Sequence, residues 1–168
     1  EEGHIVEDAE TRIKMVDKRL FKKLPLIRQE IEPPVLYGDN KPEVVIAGGG
    51  SNYGIMKEAV DELSPPHPPL GKGGRRGVAM LHFSEIYPFP SPNPLPRGEG
   101  ARGRVEFDYL KLLRGAKLTI CIENNATGQF ARLMKAETGY SFNGFINKYD
   151  GRPFTLEELV KEIKIRLL

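Results

Sequence analysis

The sequence predicts an α/β domain of three layers, α/β/α, built on a mostly parallel sheet and carrying two Pro/Gly-rich loop insertions. Three observations predict it. Short β-branched runs alternate with stretches of helical spacing; the runs are apolar throughout instead of at every second residue; and small polar residues gather where runs end and helices begin. A strand buried on both faces reads as a continuous apolar run, and strands joined through helices lie parallel with right-handed crossovers.

Residues 8–31 have helical spacing, with Ile13, Val16, Leu20, Leu24, Ile27 and Ile31 recurring every three or four positions and Pro25 placed to kink or split the stretch. "EVVIA" at 43–47 is a short buried strand. It runs into "GGGSNYG" and a helix whose apolar face is Ile55, Met56, Ala59, Val60 and Leu63. "GVAMLHF" at 77–83 and "KLTICI" at 117–122 are the second and third strands, with a short helix through Phe107, Leu110 and Leu113 between them. The next helix presents Phe130, Leu133 and Met134 and stops at Gly139, a left-handed cap position. "NGFINKY" is a fourth strand. The final helix opens on a capping box, Thr155 with Glu158, and a staple between Phe154 and Leu159.

Two segments break this alternation. "SPPHPPLGKGGRR" (64–76) and "PSPNPLPRGEGARGR" (90–104) hold eight of the fourteen prolines and show no apolar periodicity. Proline removes backbone donors and glycine maximises chain entropy, so both segments read as exposed insertions. The chain is then one domain, 1–168. Residues 1–42 form an N-terminal helical segment and lead-in, and 43–168 the α/β core.

The net charge of +2 is local to the insertions, through Lys72, Arg75 and Arg76 in one and Arg97, Arg102 and Arg104 against Glu99 in the other. The remainder is mildly acidic, which argues against a nucleic-acid partner. No apolar run approaches the roughly 20 residues of a membrane helix. The chain opens on charged residues, not a signal peptide. Its single cysteine, Cys121, excludes an internal disulfide and sits in an apolar strand, where an inert thiol and a cytoplasmic setting are expected.

Candidate functional residues lie where strands hand over to helices, the place where ligands and partners gather in such sheets. In the glycine turn, Gly50, Ser51, Asn52 and Gly54 offer a tight bend, with Ser51 or Asn52 as a helix cap and exposed N–H groups for an anion. Neither G-x-G-x-x-G nor a P-loop pattern is present. Glu85 follows the second strand. Glu123, Asn124, Asn125, Thr127, Gly128 and Gln129 follow the third, with more hydrogen-bonding capacity than one helix cap needs. The surplus points to contact with another domain, a partner subunit or a ligand. His4, His67 and His82 lack metal-ligand spacing, and no nucleophile–base set or paired carboxylates can be assembled, so no catalytic or metal-binding residue is assigned.

The strings "GHIVEDAETRIKMVDKR", "GGGSNYGIMKEAVDEL", "AMLHFSEIYPFP", "ICIENNATGQFARLMKAETG" and "INKYDGRPFTLEELV" occur in this order. Together they resemble the C-terminal part of the α subunit of 2-oxoacid:ferredoxin oxidoreductases, the family's core domain II. The resemblance implies a fold like the transketolase C-terminal domain. It also implies an enzyme complex that oxidatively decarboxylates a 2-oxoacid to an acyl-CoA and reduces ferredoxin. Thiamine diphosphate, coenzyme A and an iron–sulfur cluster belong to that holoenzyme, and none is expected to be bound by this chain alone. The implied partners are the preceding domains of the α subunit, the β subunit and, through the holoenzyme, ferredoxin. The implied role is packing beside the thiamine diphosphate site, with the isolated chain inactive. The readings set against it are a stand-alone module that takes a nucleotide or other anion at the glycine turn, and a degenerate fragment that assembles with nothing.

Overall fold

The computed structural model describes residues 3–64, 77–92 and 107–167. The two predicted insertions fall mostly outside the described residues. The core is a five-stranded sheet in the order β1-β3-β2-β4-β5. Its strands are β1 (Val35–Gly38), β2 (Val44–Gly49), β3 (Val78–Phe83), β4 (Leu118–Glu123) and β5 (Gly144–Asn147). Pairings β2–β3, β2–β4 and β4–β5 are parallel, and β1 runs antiparallel to β3, Val35 facing His82 and Gly38 facing Ala79.

The three central strands are buried from end to end, apart from the terminal residues Gly49 and Leu118. Their alternate side chains feed two cores, one on each face. Val44, Ile46, Met80, Ile120 and Ile122 pack under α3 (Tyr53–Leu63) and α6 (Leu156–Arg166). Val45, Ala47, Leu81, Phe83 and Cys121 pack under α4 (Tyr109–Gly115) and α5 (Gln129–Thr138). The layers are therefore helix, sheet, helix. Thr155 and Glu158 form the predicted capping box of α6, Phe154 and Leu159 lie in one core cluster, and Gly139 ends α5 at φ 72°.

Two expectations for residues 1–42 are corrected. β1 was not foreseen there; it is a four-residue edge strand between a proline pair and Gly38, too short to display a period. The helical stretch is continuous instead of split: α1 (Ala9–Asp17), a π-helical turn (Lys18–Lys23) and α2 (Leu24–Glu30) follow without a break. Pro25 has no N–H to donate, and the wider turn before it shifts the ladder so that Leu24 donates to the Arg19 carbonyl. None of these three segments buries a residue, so the stripe Ile13, Leu20 and Ile27 does not face the chain's own core.

Candidate functional site

In chain order the parallel strands run β2, β3, β4, β5, but in the sheet β3 and β4 flank β2 on opposite sides. The connection out of β2 goes to α3 on one face, and the one out of β4 goes to α5 on the other. Their starting turns diverge and leave a crevice at the carboxyl ends of β2 and β4, the topological switch point of the fold.

On the β4 side, Glu123 is 5% exposed and points back into the start of α5. Its Oε2 accepts from Phe130 N–H (2.8 Å) and from Asn125 Nδ2 (2.7 Å), and its Oε1 accepts from Ala131 N–H (3.0 Å). Asn125 Oδ1 accepts in turn from the N–H groups of Thr127, Gly128 and Gln129 at 3.0, 2.7 and 3.3 Å. Gly128, at φ 64°, makes the bend that aims these N–H groups inward. A helix leaves its first N–H groups without intrahelical partners. Here one buried carboxylate and one amide take them up, with the carboxylate at the positive end of the helix dipole.

The Cys121 thiol lies 3.4 Å from Glu123 Oε1 as a donor. Burial, and then the charge of Glu123, push its pKa well above the ordinary thiol value, so it stays protonated. Asn147 Nδ2 donates to the Asn125 carbonyl (2.9 Å) and Lys148 N–H to the Glu123 carbonyl (3.0 Å), which ties the end of β5 to the same turn.

On the β2 side the backbone passes through a 3-10 turn (Gly50–Asn52) into α3. Gly50, at φ 62°, opens it. The expected cap from Ser51 or Asn52 is absent: neither the 3-10 turn nor α3 has a side-chain cap. Asn52 stands at the N-cap of α3 with φ −77° and ψ −4° instead of the extended backbone that lets a cap side chain reach back, and it is 7% exposed. The turn is held from the sheet instead. His82 Nε2 donates to the Gly50 carbonyl at 2.9 Å, and the His82 ring meets Tyr53 edge-on at 5.0 Å. His82 is thus a buried support, as its place in a strand suggests. Gly54 sits in the first turn of α3 with open space where a Cβ would be. Glu85 is removed from the crevice chemistry, since its Oε2 accepts from Glu32 N–H (2.8 Å) and pins the lead-in.

Between the two turns lies a cleft of about 500 Å³. Ser51 and Asn52 line one wall and Asn124 another, and the 148–154 loop closes it with Lys148, Arg152 and Phe154. Among the described residues no carboxylate lines the cleft, since Asp150 of the same loop is turned to Lys148 and the Arg152 N–H. Lys148 is bridged to Asp150 (3.0 Å) and Glu158 (3.1 Å), which raise its pKa and fix its position. The Arg152 guanidinium makes no ion pair among the described residues. A second depression of about 620 Å³, between 40–42 and α4, gathers no such set: its Asp108 carboxylate is engaged by the Lys111 N–H.

No family model matches the chain. It is 31% identical over 166 residues to the alpha subunit of 2-oxoacid:ferredoxin oxidoreductase 1 from Aeropyrum pernix, across 97% of this chain and 22% of that subunit. It is likewise 31% identical over 167 residues to the 2-oxoacid:ferredoxin oxidoreductase alpha subunit from Saccharolobus solfataricus, across 98% of this chain and 23% of that one. The chain is a relative of 2-oxoacid:ferredoxin oxidoreductase alpha subunits. Among solved structures, a 2-oxoglutarate:ferredoxin oxidoreductase from Magnetococcus marinus superposes with TM-score 0.68 at 22% identity, over 99% of this chain and 25% of that one. That likeness shows the fold. The alpha-subunit relative therefore spans between a fifth and a quarter of the length of the proteins it matches, and matches a domain of them.

An iron–sulfur cluster held by cysteines needs several of them, and the alpha-subunit relative has Cys121 alone, buried within β4. The residues do not fit a cluster. Among the described residues no three His, Cys, Asp or Glu side chains converge as a metal site.

Of the residues singled out in the sequence, the structure brings Ser51, Asn52 and Asn124 to one cleft. It places Glu123, Asn125 and Gly128 in the α5 cap and Glu85 on the lead-in. Asn124, Thr127 and Gln129 remain exposed, with no side-chain hydrogen bond among the described residues. Lys148 and Arg152 were missed. Their signal was "KYDGRPF", a turn-rich basic string directly after the last strand, hence at the same end of the sheet.

Proposed function

We propose that this chain serves as a non-catalytic packing domain of a 2-oxoacid:ferredoxin oxidoreductase alpha subunit, docked against the rest of that subunit and against a β subunit. One observation carries this reading. The helical stretch from Ala9 to Glu30 buries nothing in its own chain while exposing Ile13, Leu20, Phe21, Leu26 and Ile27, with Phe21 73% exposed. A helix of this length in water draws most of its stability from packing an apolar face. Covering four such side chains contributes on the order of 6 kcal/mol or more before entropy costs. The docking face is thus assigned mainly to this stretch, with Asn124 and Gln129 as polar additions at the sheet rim.

The reaction of the whole assembly, on this reading, is the oxidative decarboxylation of a 2-oxoacid to an acyl-CoA, with two electrons passing to ferredoxin. Thiamine diphosphate, coenzyme A and the cluster would be held by other parts of the complex, in the cytoplasm. The relatives' names and the match across nearly the whole chain support the assignment.

The test is co-purification of this chain with the β subunit and the other alpha-subunit domains, comparing wild type with a Leu20→Asp, Phe21→Asp double variant. Both positions are exposed, so the variant's own melting should be unchanged and its assembly lost. Full assembly of the variant would rule out the helical face as the docking surface.

A further inference from the structure

We propose that the cleft at the switch point is a binding site for a phosphate-bearing small molecule, with the phosphoryl group between Ser51, Asn52 and Arg152. Four observations meet there. The 3-10 turn and α3 begin at this cleft with no side-chain cap, so the positive end of the helix dipole is not offset there by a side chain of the turn. Asn52 is 7% exposed, lines the cleft and makes no side-chain hydrogen bond among the described residues. Among the described residues no buried side-chain N or O lacks a partner, so the Asn52 amide atoms reach the cleft space and can meet a ligand there. Among the described residues the lining includes two cations and no carboxylate. Of the two cations, Lys148 is neutralised by Asp150 and Glu158, whereas the Arg152 guanidinium feels the Asp150 charge but makes no ion pair among the described residues, and it is the group suited to grip a phosphate with two parallel N–H bonds.

The contrast with the neighbouring turn sharpens the case. Glu123 occupies the N-terminus of α5 from within the chain. At α3 no side chain caps the equivalent place, and Asn52 lies beside it. A volume of about 500 Å³ exceeds one phosphate and leaves room for an organic body against Ile55, Phe154 and the Tyr149 ring. Nucleotides are the class that fits. This inference rests on Ser51, Asn52 and Arg152, whereas the docking proposal rests mainly on the N-terminal helices; the two share only Asn124 at the rim.

The experiment is calorimetric titration of the 168-residue chain with pyrophosphate and with AMP, with adenosine and sodium acetate as controls. Pyrophosphate and AMP should bind with Kd of about 1 mM or tighter at low salt, weakening several-fold near about 0.5 M NaCl. Adenosine and acetate should give much weaker heats. Arg152→Ala and Asn52→Ala should each weaken AMP at least about fivefold. Arg152 is exposed, so its removal leaves the fold intact and its result stands even if the Asn52 variant melts early. No binding of either phosphate compound, acetate binding as tightly as pyrophosphate, or unchanged AMP affinity in Arg152→Ala would each overturn the assignment.

Discussion

Glu123 and Phe130 stand on opposite sides of a turn, yet Oε2 of the first accepts a 2.8 Å hydrogen bond from the backbone N–H of the second, and both groups are buried. The last residue of β4 therefore closes the first turn of α5. Glu123→Ala would strand the N–H groups of Phe130 and Ala131 and the Asn125 amide. A buried bond to a charged acceptor contributes about 1.5–3 kcal/mol, so the loss should be at least about 3 kcal/mol. Thermal denaturation should show a fall of roughly 6–12 °C. Glu123→Gln keeps one acceptor and should cost clearly less.

The two glycines of the rim should respond in opposite directions. Gly128 has φ 64°, and an added Cβ there would come no closer than 3.7 Å to Glu123 Oε1, so Gly128→Ala carries only the conformational cost of about 1 kcal/mol. Gly54 lies in α3 with open space around a Cβ, and Gly54→Ala should stabilise by up to about 0.5–1 kcal/mol. Urea denaturation of the two variants would check the sign of each.

Stability should fall in alkali. Burial raises the folded pKa of Cys121 above its ordinary 9.0, and burial followed by the Asp108 charge raises that of Tyr109 above 10.0. Both groups are neutral when protonated, so the unfolded chain releases these protons first. The stabilisation is whole below the ordinary values and is lost as pH rises through them. The urea midpoint should hold near about pH 8 and drop by about pH 10.5. In the native protein the Cys121 thiol should resist a thiol reagent at about pH 8 and react once the chain is unfolded.

The capping box offers an acid-side counterpart. The Thr155 backbone N–H, followed by Lys148, lowers the Glu158 pKa below its ordinary 4.5. The corresponding stability is present above that value and lost as pH falls below it. Thr155→Ala should cost about 1 kcal/mol near neutrality, read as a melting shift of about 2–4 °C.

Much of this fold was legible because its strands are buried on both faces. Val44–Gly49, Val78–Phe83 and Leu118–Glu123 each announce themselves as unbroken apolar runs, and the helices between them by spacing. β1 did not, since Val35–Gly38 is short, half-exposed and at an edge. The role of Glu123 was hidden for another reason. A carboxylate at a strand end is visible in the sequence, but which N–H groups it meets depends on the bend at Gly128 and the placement of α5. The expected surplus of polar groups was therefore smaller than it looked, because Glu123 and Asn125 are engaged inside the domain. The cleft draws on Ser51, Asn52, Asn124 and Arg152, which only the sheet order brings together, and no local pattern encodes that.

The parallel run of β2, β3, β4 and β5 gives Ser64 and Gly77 on one hand, and Pro90 on the other, unlike addresses. Each helix carries the chain from the head of the sheet to its foot, so Ser64 leaves α3 at the foot and Gly77 re-enters β3 there. Pro90 follows β3 at the head, where the Tyr109 hydroxyl donates to its carbonyl at 2.7 Å. Ser64 and Gly77 thus stand at the far pole of the molecule from the cleft, and a substitution at either should leave the cleft untouched.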